Sequence, residues 1–391
     1  MVYKAIGLMS GSSLDGLDIA YVHLQETGGK WSYEMLHTAC HAYPPDWVKK
    51  LNTAVTMPAL DYQLLHTAYG HYIGEAINQF IEANQLHHQV DLVASHGHTT
   101  FHKPQQQMTA QLGDGAAIAA ATRLPVVSDL RALDIAFGGQ GAPIVPIGEK
   151  LLLSDYNYFL NLGGIANISV NNPHHYIAFD VCAANRVLNM LVQLTGKEYD
   201  ENGAVAAKGL LNEALLNDLN RQDYYQQPWP KSLANDFGTG IIYPLIQKHQ
   251  LRVEDALRTY VEHIAVQVKM GLEGVREKGE GIRNKAQETR DKEQGTRDKV
   301  QDSLLQTPDS RLLATGGGAL NGFMIERIRE HLKDLSVELI VPDDKLVNFK
   351  EALIMALIGV LRWREEYNVL SSVTGAKRNS INGAVWMGAE A

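Results

Sequence analysis

The chain has 391 residues, which favours two domains over one ordinary core. Hydrophobic residues make up 45% and charged residues 20%, the balance of a globular protein, and a net charge of −9 offers no basic excess for binding nucleic acid. Two cysteines, Cys40 and Cys182, cannot build a disulfide framework, and no apolar run reaches the roughly 18 residues that a membrane helix needs.

The N-terminus runs from Met1 straight into an apolar strand and lacks the h-region of a signal peptide, so the cytoplasm is the expected compartment. Ala5 to Met9, Leu17 to Leu24 and Trp31 to His37 read as short strands joined by Gly-containing turns, an antiparallel meander. Helices are expected over about Asp46 to Val55 and Tyr62 to Asn84. In the second, Leu65, Ala68, Tyr72, Ala76 and Phe80 recur at helical spacing. Val90 to Ala94 reads as a buried strand, Asp114 to Thr122 as a short helix, and Pro125 to Ser128 as another strand.

The second half restarts the same pattern. Strands are expected at Tyr158 to Asn161, Ile165 to Val170 and His175 to Asp180, then a helix over Ala183 to Leu194 and a longer one over Val253 to Val275. Leu312 to Thr315 is a strand entering Gly316-Gly317-Gly318 and a helix from Leu320 to Leu332. Val337 to Val341 and a helix from Lys350 to Arg364 close an α/β pattern. A strand, Gly turn, strand unit therefore opens each half, a loose internal duplication. Between the long helix and Leu312, Arg276 to Asp302 is almost wholly polar, with Arg283, Arg290 and Arg297 in a seven-residue register. The apolar a and d positions of a coiled coil are missing, so this segment reads as a solvated insertion.

Three glycine motifs could carry chemistry. Gly7 to Asp18 turns between two strands through Gly11, Ser12, Ser13, Leu14, Asp15, Gly16 and Leu17. Glycines let a backbone approach phosphate, serine hydroxyls add donors, and Asp15 with Asp18 could hold hydrated Mg²⁺. It lacks the Gly-Lys-Ser/Thr of a Walker A loop, and an ordinary hairpin turn is the competing reading. Asn161 to Ser169 repeats the hairpin with Gly163, Gly164 and Asn167. Thr315 to Asn321 joins a strand to a helix through Gly316, Gly317 and Gly318, and its helix N-terminus could face an adenosine or a phosphate.

Two strand-hairpin phosphate loops followed by a strand-GGG-helix loop resemble the order found in the acetate kinase, sugar kinase, Hsp70 and actin superfamily. Within it, the chain is similar to the anhydro-N-acetylmuramic acid kinases. The carrying motifs are GLMSGSSLDGLD at 7–18, Ser95-His96-Gly97-His98-Thr99 (Ser-His-Gly-Gln-Thr in the family), Gln111 to Asp114, Ser128 to Pro143, and Ser372 to Ala376. The resemblance spans nearly the whole chain.

It implies an α/β fold of two actin-like, ribonuclease H-like lobes with an interlobe nucleotide cleft. The N-terminal lobe would cover 1–155 and the C-terminal lobe 156–391. It implies an enzyme that uses ATP and Mg²⁺ to phosphorylate O6 of 1,6-anhydro-N-acetylmuramic acid while water opens the anhydro bridge at C1, giving N-acetylmuramic acid 6-phosphate for cell-wall recycling. A homodimer is compatible with it; nucleic acid and membrane are not expected partners. The catalytic base would be Asp180, although from the residues alone a helix N-cap is the competing reading. ATP would meet the loops at 11–18, Gly163, Gly164, Asn167, Gly316, Gly317, Gly318 and Asn321, with metal held by Asp15 and Asp18 through water. The sugar would meet His96, Gly97, Arg131, Asp134, Gln140, Gly141, Ala142, Pro143 and Glu351. Arg131 suits a lactyl carboxylate, and Glu351 alone reads as a favourable first-turn anion.

The chain departs from the family at one point. Where Asp-x-Gly-Pro-Gly-Asn is expected, it carries Asp180-Val181-Cys182-Ala183-Ala184-Asn185, and loss of glycine restricts backbone approach to a ligand. Cys182 reads as a small packing residue, since no activating His is near in sequence. Two alternatives therefore stand beside the anhydro-sugar kinase: a kinase of the same fold acting on another amino sugar, and a silent ATP-binding regulator.

Overall fold

The computed structural model describes residues 1–11, 14–171, 176–228, 231–234, 236–293 and 310–388, with the backbone alone over 277–293. The chain forms two compact units, each around its own sheet.

The first unit opens with β1 (Val2–Ser10), β2 (Gly16–Thr27) and β3 (Lys30–Ala42), then α1 (Pro45–Thr53) and α2 (Ala59–Ala83). It continues with β4 (Leu92–Lys103), β5 (Met108–Leu112), α3 (Gly115–Thr122), β6 (Val126–Ser128), α4 (Ala132–Ala136) and α5 (Pro146–Leu152). The expected meander is present: β1 pairs antiparallel with β2, and β2 with β3. The central strands are buried on both faces, as the apolar run Ile19-Ala20-Tyr21-Val22 demands. Beyond the meander, β1 pairs parallel with β4 and β4 parallel with β6.

The second unit holds β7 (Tyr158–Leu162), β8 (Ile165–Val170), β9 (Ile177–Ala183), α6 (Asn185–Gln193), α7 (Glu213–Asn220), α8 (Tyr243–Lys248), α9 (Val253–Glu293), β10 (Ser310–Thr315), α10 (Gly322–Leu332) and β11 (Val337–Ile340). Its strand order is β9-β8-β7-β10-β11, antiparallel across the first three and parallel thereafter. The first unit's β3-β2-β1-β4-β6 has the same order and senses. This is the ribonuclease H-like arrangement, built twice.

The unit boundary differs from the expected 156–391 lobe. Everything from Asp344 onward belongs to the first unit: α11 (Asp344–Trp363), α12 (Ser371–Thr374) and β12 (Ala384–Trp386), which extends the first sheet beside β6. The physical reason is α11. It buries thirteen residues from Leu346 to Leu361, too many for one amphipathic stripe, and packs on β1, β2 and β4. It crosses β1 so closely that a Cβ at Gly7 would overlap the Ala352 carbonyl oxygen.

Several boundaries also shift. The segment Ser95–Thr99 is strand, because β4 runs on to Lys103 and is continued by the unforeseen β5. A 3₁₀ turn over Gly317–Leu320 separates β10 from α10. Strand β9 extends to Ala183, so α6 begins only at Asn185. Helix α11 starts at Asp344, which puts Glu351 beyond the first turn. Of the polar insertion, α9 carries the backbone as far as Glu293, while 294–302 lie outside the described residues, as does His175.

Candidate functional site

In the first unit, the β1–β2 connection carries Gly11, Leu14, Asp15, Gly16, Leu17 and Asp18; Ser12 and Ser13 lie outside the described residues. Leu14 takes a positive φ of 57°, and its N–H reaches the Gly11 carbonyl at 3.4 Å. The Gly16 N–H donates to Asp15 Oδ1 at 3.0 Å. Asp18 already lies in β2, opposite Met9. Burial pushes its carboxyl up to about 6, a hydrogen bond with Cys40 works against that, and the charges of Asp15 and Glu351 add to the rise. Burial and the Asp18 charge push the Cys40 thiol up to about 12, so it stays a donor. Behind the loop, Ser10 Oγ meets His98 Nδ1 at 3.0 Å and accepts from the Tyr43 hydroxyl at 2.8 Å.

Asp15 and Asp18 fit Mg²⁺ as hard oxygen donors whose mutual repulsion a cation relieves. Mg²⁺ characteristically keeps waters and takes one or two carboxylates besides phosphate oxygens. Among the described residues no cluster of three or more His, Cys, Asp or Glu could hold a metal by itself.

The expected sugar residues gather around Arg131. Its Nε donates to His96 Nε2 at 2.8 Å and its Nη1 to the Gly141 carbonyl at 2.6 Å. His96 Nδ1 lies 2.8 Å from the Gly97 carbonyl, so both ring nitrogens are engaged. Burial, then the Arg131 charge, lowers His96 to about 3, and the ring is neutral. Burial lowers Arg131 to about 10, partly offset by Glu351. Asp134 is placed as a support rather than a ligand contact. It is 0% exposed, accepting from the Gly141 N–H and the Thr374 hydroxyl, each at 2.8 Å. The Gln140 N–H donates to the Thr374 carbonyl at 2.8 Å, which joins the Ser372–Ala376 motif to the segment ending in the cis Ala142–Pro143 bond.

In the second unit, strand register lines up one polar row. Thr315 on β10 stands beside Asn161 on β7, Asn161 opposite Asn167 on β8, and Asn167 opposite Asp180 on β9. Asp180 sits at a register shift in β9, not at a helix end; the α6 N-cap position is Ala184, without a side-chain cap. Its Oδ2 accepts from the Leu233 N–H at 2.8 Å and the Ser232 hydroxyl at 3.1 Å. The Tyr224 hydroxyl donates to its carbonyl at 2.7 Å. Burial raises the carboxyl, and the Leu233 and Ser232 donors hold part of that rise back. Lys231, over the Tyr224 ring at 4.6 Å, is lowered by burial. These partners lie in an irregular stretch some fifty residues downstream, and no motif announced them. Val181, Cys182, Ala183 and Ala184 are all buried, and burial raises the Cys182 thiol, as a packing residue requires.

The carbonyls of Gly163 and Gly164 accept from the N–H groups of Asn185 and Ala184, tying the second hairpin to the start of α6. Gly316 has φ 81°, and a Cβ there would lie 2.6 Å from Asn161 Oδ1, so only glycine serves. Gly318 packs against Leu162 and Asn185, and Gly317 is more open. Asn321 uses its Oδ1 to cap α10 through the Met324 N–H at 3.0 Å. The glycine loops thus fall at strand ends, Gly11 and Leu14–Gly16 in the first unit and Gly163, Gly164 and Gly316–Gly318 in the second, while Asn167 lies within β8.

The family model for anhydro-N-acetylmuramic acid kinase matches residues 3–285 and 293–388. The anhydro-N-acetylmuramic acid kinase of Haemophilus influenzae is 30% identical over 394 residues, covering 97% of each chain. Those of Vibrio vulnificus (29%, 97% of each chain) and Francisella tularensis subsp. novicida (30%, 98% of each chain) are similar. Among solved structures, the activator of the 2-hydroxyisocaproyl-CoA dehydratase from Clostridium difficile aligns with 13% identity and a TM-score of 0.42, over 93% of this chain and 96% of that one. With a family match over nearly its whole length, the chain belongs to the anhydro-N-acetylmuramic acid kinase family and is a sugar kinase.

Proposed function

We propose that the chain transfers the γ-phosphoryl of ATP to O6 of 1,6-anhydro-N-acetylmuramic acid with hydrolytic opening of the anhydro ring. Asp180 takes a proton from water as the water oxygen bonds to C1. The C1–O6 bond breaks, and O6 attacks the γ-phosphorus, giving N-acetylmuramic acid 6-phosphate and ADP. Mg²⁺, when bound near Asp15 and Asp18, would neutralise phosphate charge. Backbone N–H groups of the glycine loops suit phosphate oxygens, and Arg131 suits the lactyl carboxylate. The product places the enzyme in cytoplasmic recycling of cell-wall sugars.

The observation that carries this reading is Asp180. Its carboxylate is fixed by two donors on one oxygen, in surroundings that lift its proton affinity toward the range useful to a base. The test is a mass-spectrometric search for a phosphorylated product from ATP and the anhydro sugar, with plain N-acetylmuramic acid alongside. Product from the anhydro sugar is expected, and Asp180→Asn should lower kcat by at least about a thousandfold while sparing ATP affinity. An active Asn variant removes the base assignment. Product from the plain sugar alone would redirect the assignment to another amino sugar.

A further inference from the structure

Downstream of α6, within the second unit, the turn Asp200-Glu201-Asn202-Gly203 lies against the end of the Gly316–Asn321 loop. The turn is fixed from behind. Asp200, 8% exposed, accepts from the Val205 N–H at 2.8 Å through Oδ1 and from the Ala206 N–H at 2.9 Å through Oδ2. Ala206 is fully buried where the next 3₁₀ turn packs on α9. The Leu210 N–H then reaches Asp255 Oδ1 on α9 at 2.7 Å. A carboxylate gripping two backbone donors, in a segment pinned to a long helix, leaves the turn little freedom.

Two residues of the turn meet the loop. Asn202 takes a positive φ of 54°, which Asn tolerates better than most side chains, and its Oδ1 accepts from the Gly322 N–H at 2.9 Å. Gly203 has φ 70° and lies so close that a Cβ there would overlap Asn321 Oδ1. That oxygen in turn caps the Met324 N–H. Two of the donors that open α10 are thus taken by side-chain oxygens, and the end of the glycine turn is fastened from this side. On its other side the loop rests on Leu162 and Asn185, which a Cβ at Gly318 would approach to 2.8 and 2.9 Å. Asn185 is itself held, its Nδ2 donating to the Leu162 carbonyl at 2.9 Å. Three successive glycines have no side chains with which to hold one shape, so the shape is set by what braces them.

We propose that Asn202 is a positioning residue for the nucleotide: by accepting from the Gly322 N–H, it holds the Gly316–Asn321 loop in the shape that receives ATP. The inference rests on the proposed function and adds to it a residue outside the three glycine motifs. Asn202 acts through this loop, so its effect falls on the nucleotide and not on the sugar.

The test reads ATP and ADP binding by titration calorimetry, which needs no turnover, together with KM for each substrate. Asn202→Gly keeps the positive φ and removes the acceptor. It should raise the Kd for ADP and the KM for ATP about tenfold, with kcat and the KM for the anhydro sugar changed about twofold or less. Asn202→Asp keeps both the acceptor and the φ, and its exposed charge is screened at about 0.15 M salt. It should bind nucleotide within about threefold of the unaltered chain. Unchanged nucleotide binding by Asn202→Gly would overturn the inference. So would a lower melting temperature with the Kd of the folded protein unmoved, or an Asn202→Asp variant as weak as Asn202→Gly. Each of those outcomes leaves the kinase reading standing, because the unaltered chain still binds ATP. An unaltered chain that binds neither nucleotide sinks the kinase reading itself, and this inference with it.

Discussion

At the scale of single residues, the balance of forces on Asp180, the base proposed above, predicts how activity should vary with pH. Burial opposes its charge; the Ser232 hydroxyl and Leu233 N–H favour it. Burial wins, so the acid limb of kcat/KM should lie above the pH at which an ordinary aspartate titrates. A base works only when deprotonated, so activity falls as pH drops through that limb. Removing the Ser232 donor takes away support for the charged form, and Ser232→Ala should move the limb to higher pH, leaving the rate at alkaline pH nearly unchanged. A pH–rate profile of the two proteins checks this; an unmoved limb would mean another group controls it. Asp180 was singled out in the sequence through the family resemblance alone. Its partners were not, because Ser232 and Leu233 reach it through tertiary folding from a stretch with no periodicity. The N-cap alternative fails for a local reason: β9 runs three residues beyond Asp180 before α6 begins.

At the scale of elements, the expected strands and helices mostly exist, and the misreadings have physical causes. Strand β5 is only five residues long and follows Gln105-Gln106-Gln107, so neither alternation nor turn chemistry marked it. Helix α11 was legible as a helix but not as a member of the first unit, since its apolar run does not say which sheet it covers. Its placement brings Lys350 to Glu149 on α5 at 3.0 Å, both almost fully buried, with the Tyr176 hydroxyl also donating to that carboxylate. Such a pair is expensive to break and cheap to replace as a whole. Lys350→Met should therefore cost about 3 kcal/mol or more by leaving Glu149 buried without its cation. The double variant Lys350→Met, Glu149→Leu should recover much of that loss. Denaturant titration of the three proteins measures it; a double variant no better than the single one would show that the pair's worth lies elsewhere.

At the scale of the whole molecule, one strand order serves twice, and each copy places a glycine-bearing hairpin between its first two strands. The duplication was visible in the sequence as two strand–turn–strand openings, but the sequence did not show that the chain returns to its first unit to finish it. That return has an energetic consequence. Burying one large apolar side chain contributes about 1.5–3 kcal/mol, and α11 buries thirteen residues, most of them apolar. Their sum exceeds the roughly 5–15 kcal/mol by which a folded protein is stable. A chain ending at Asp343 should therefore lose the first unit's fold although residues 1–154 are all present. The second unit keeps its sheet and its own core, because β7 to β11 all lie before the cut. Limited proteolysis read by mass spectrometry should find peptides from 1–154 released early and those from 155–272 and 310–343 retained. Equal protection of residues 1–154 in the cut and uncut chains would mean that α11 is an accessory to the first sheet rather than its missing half.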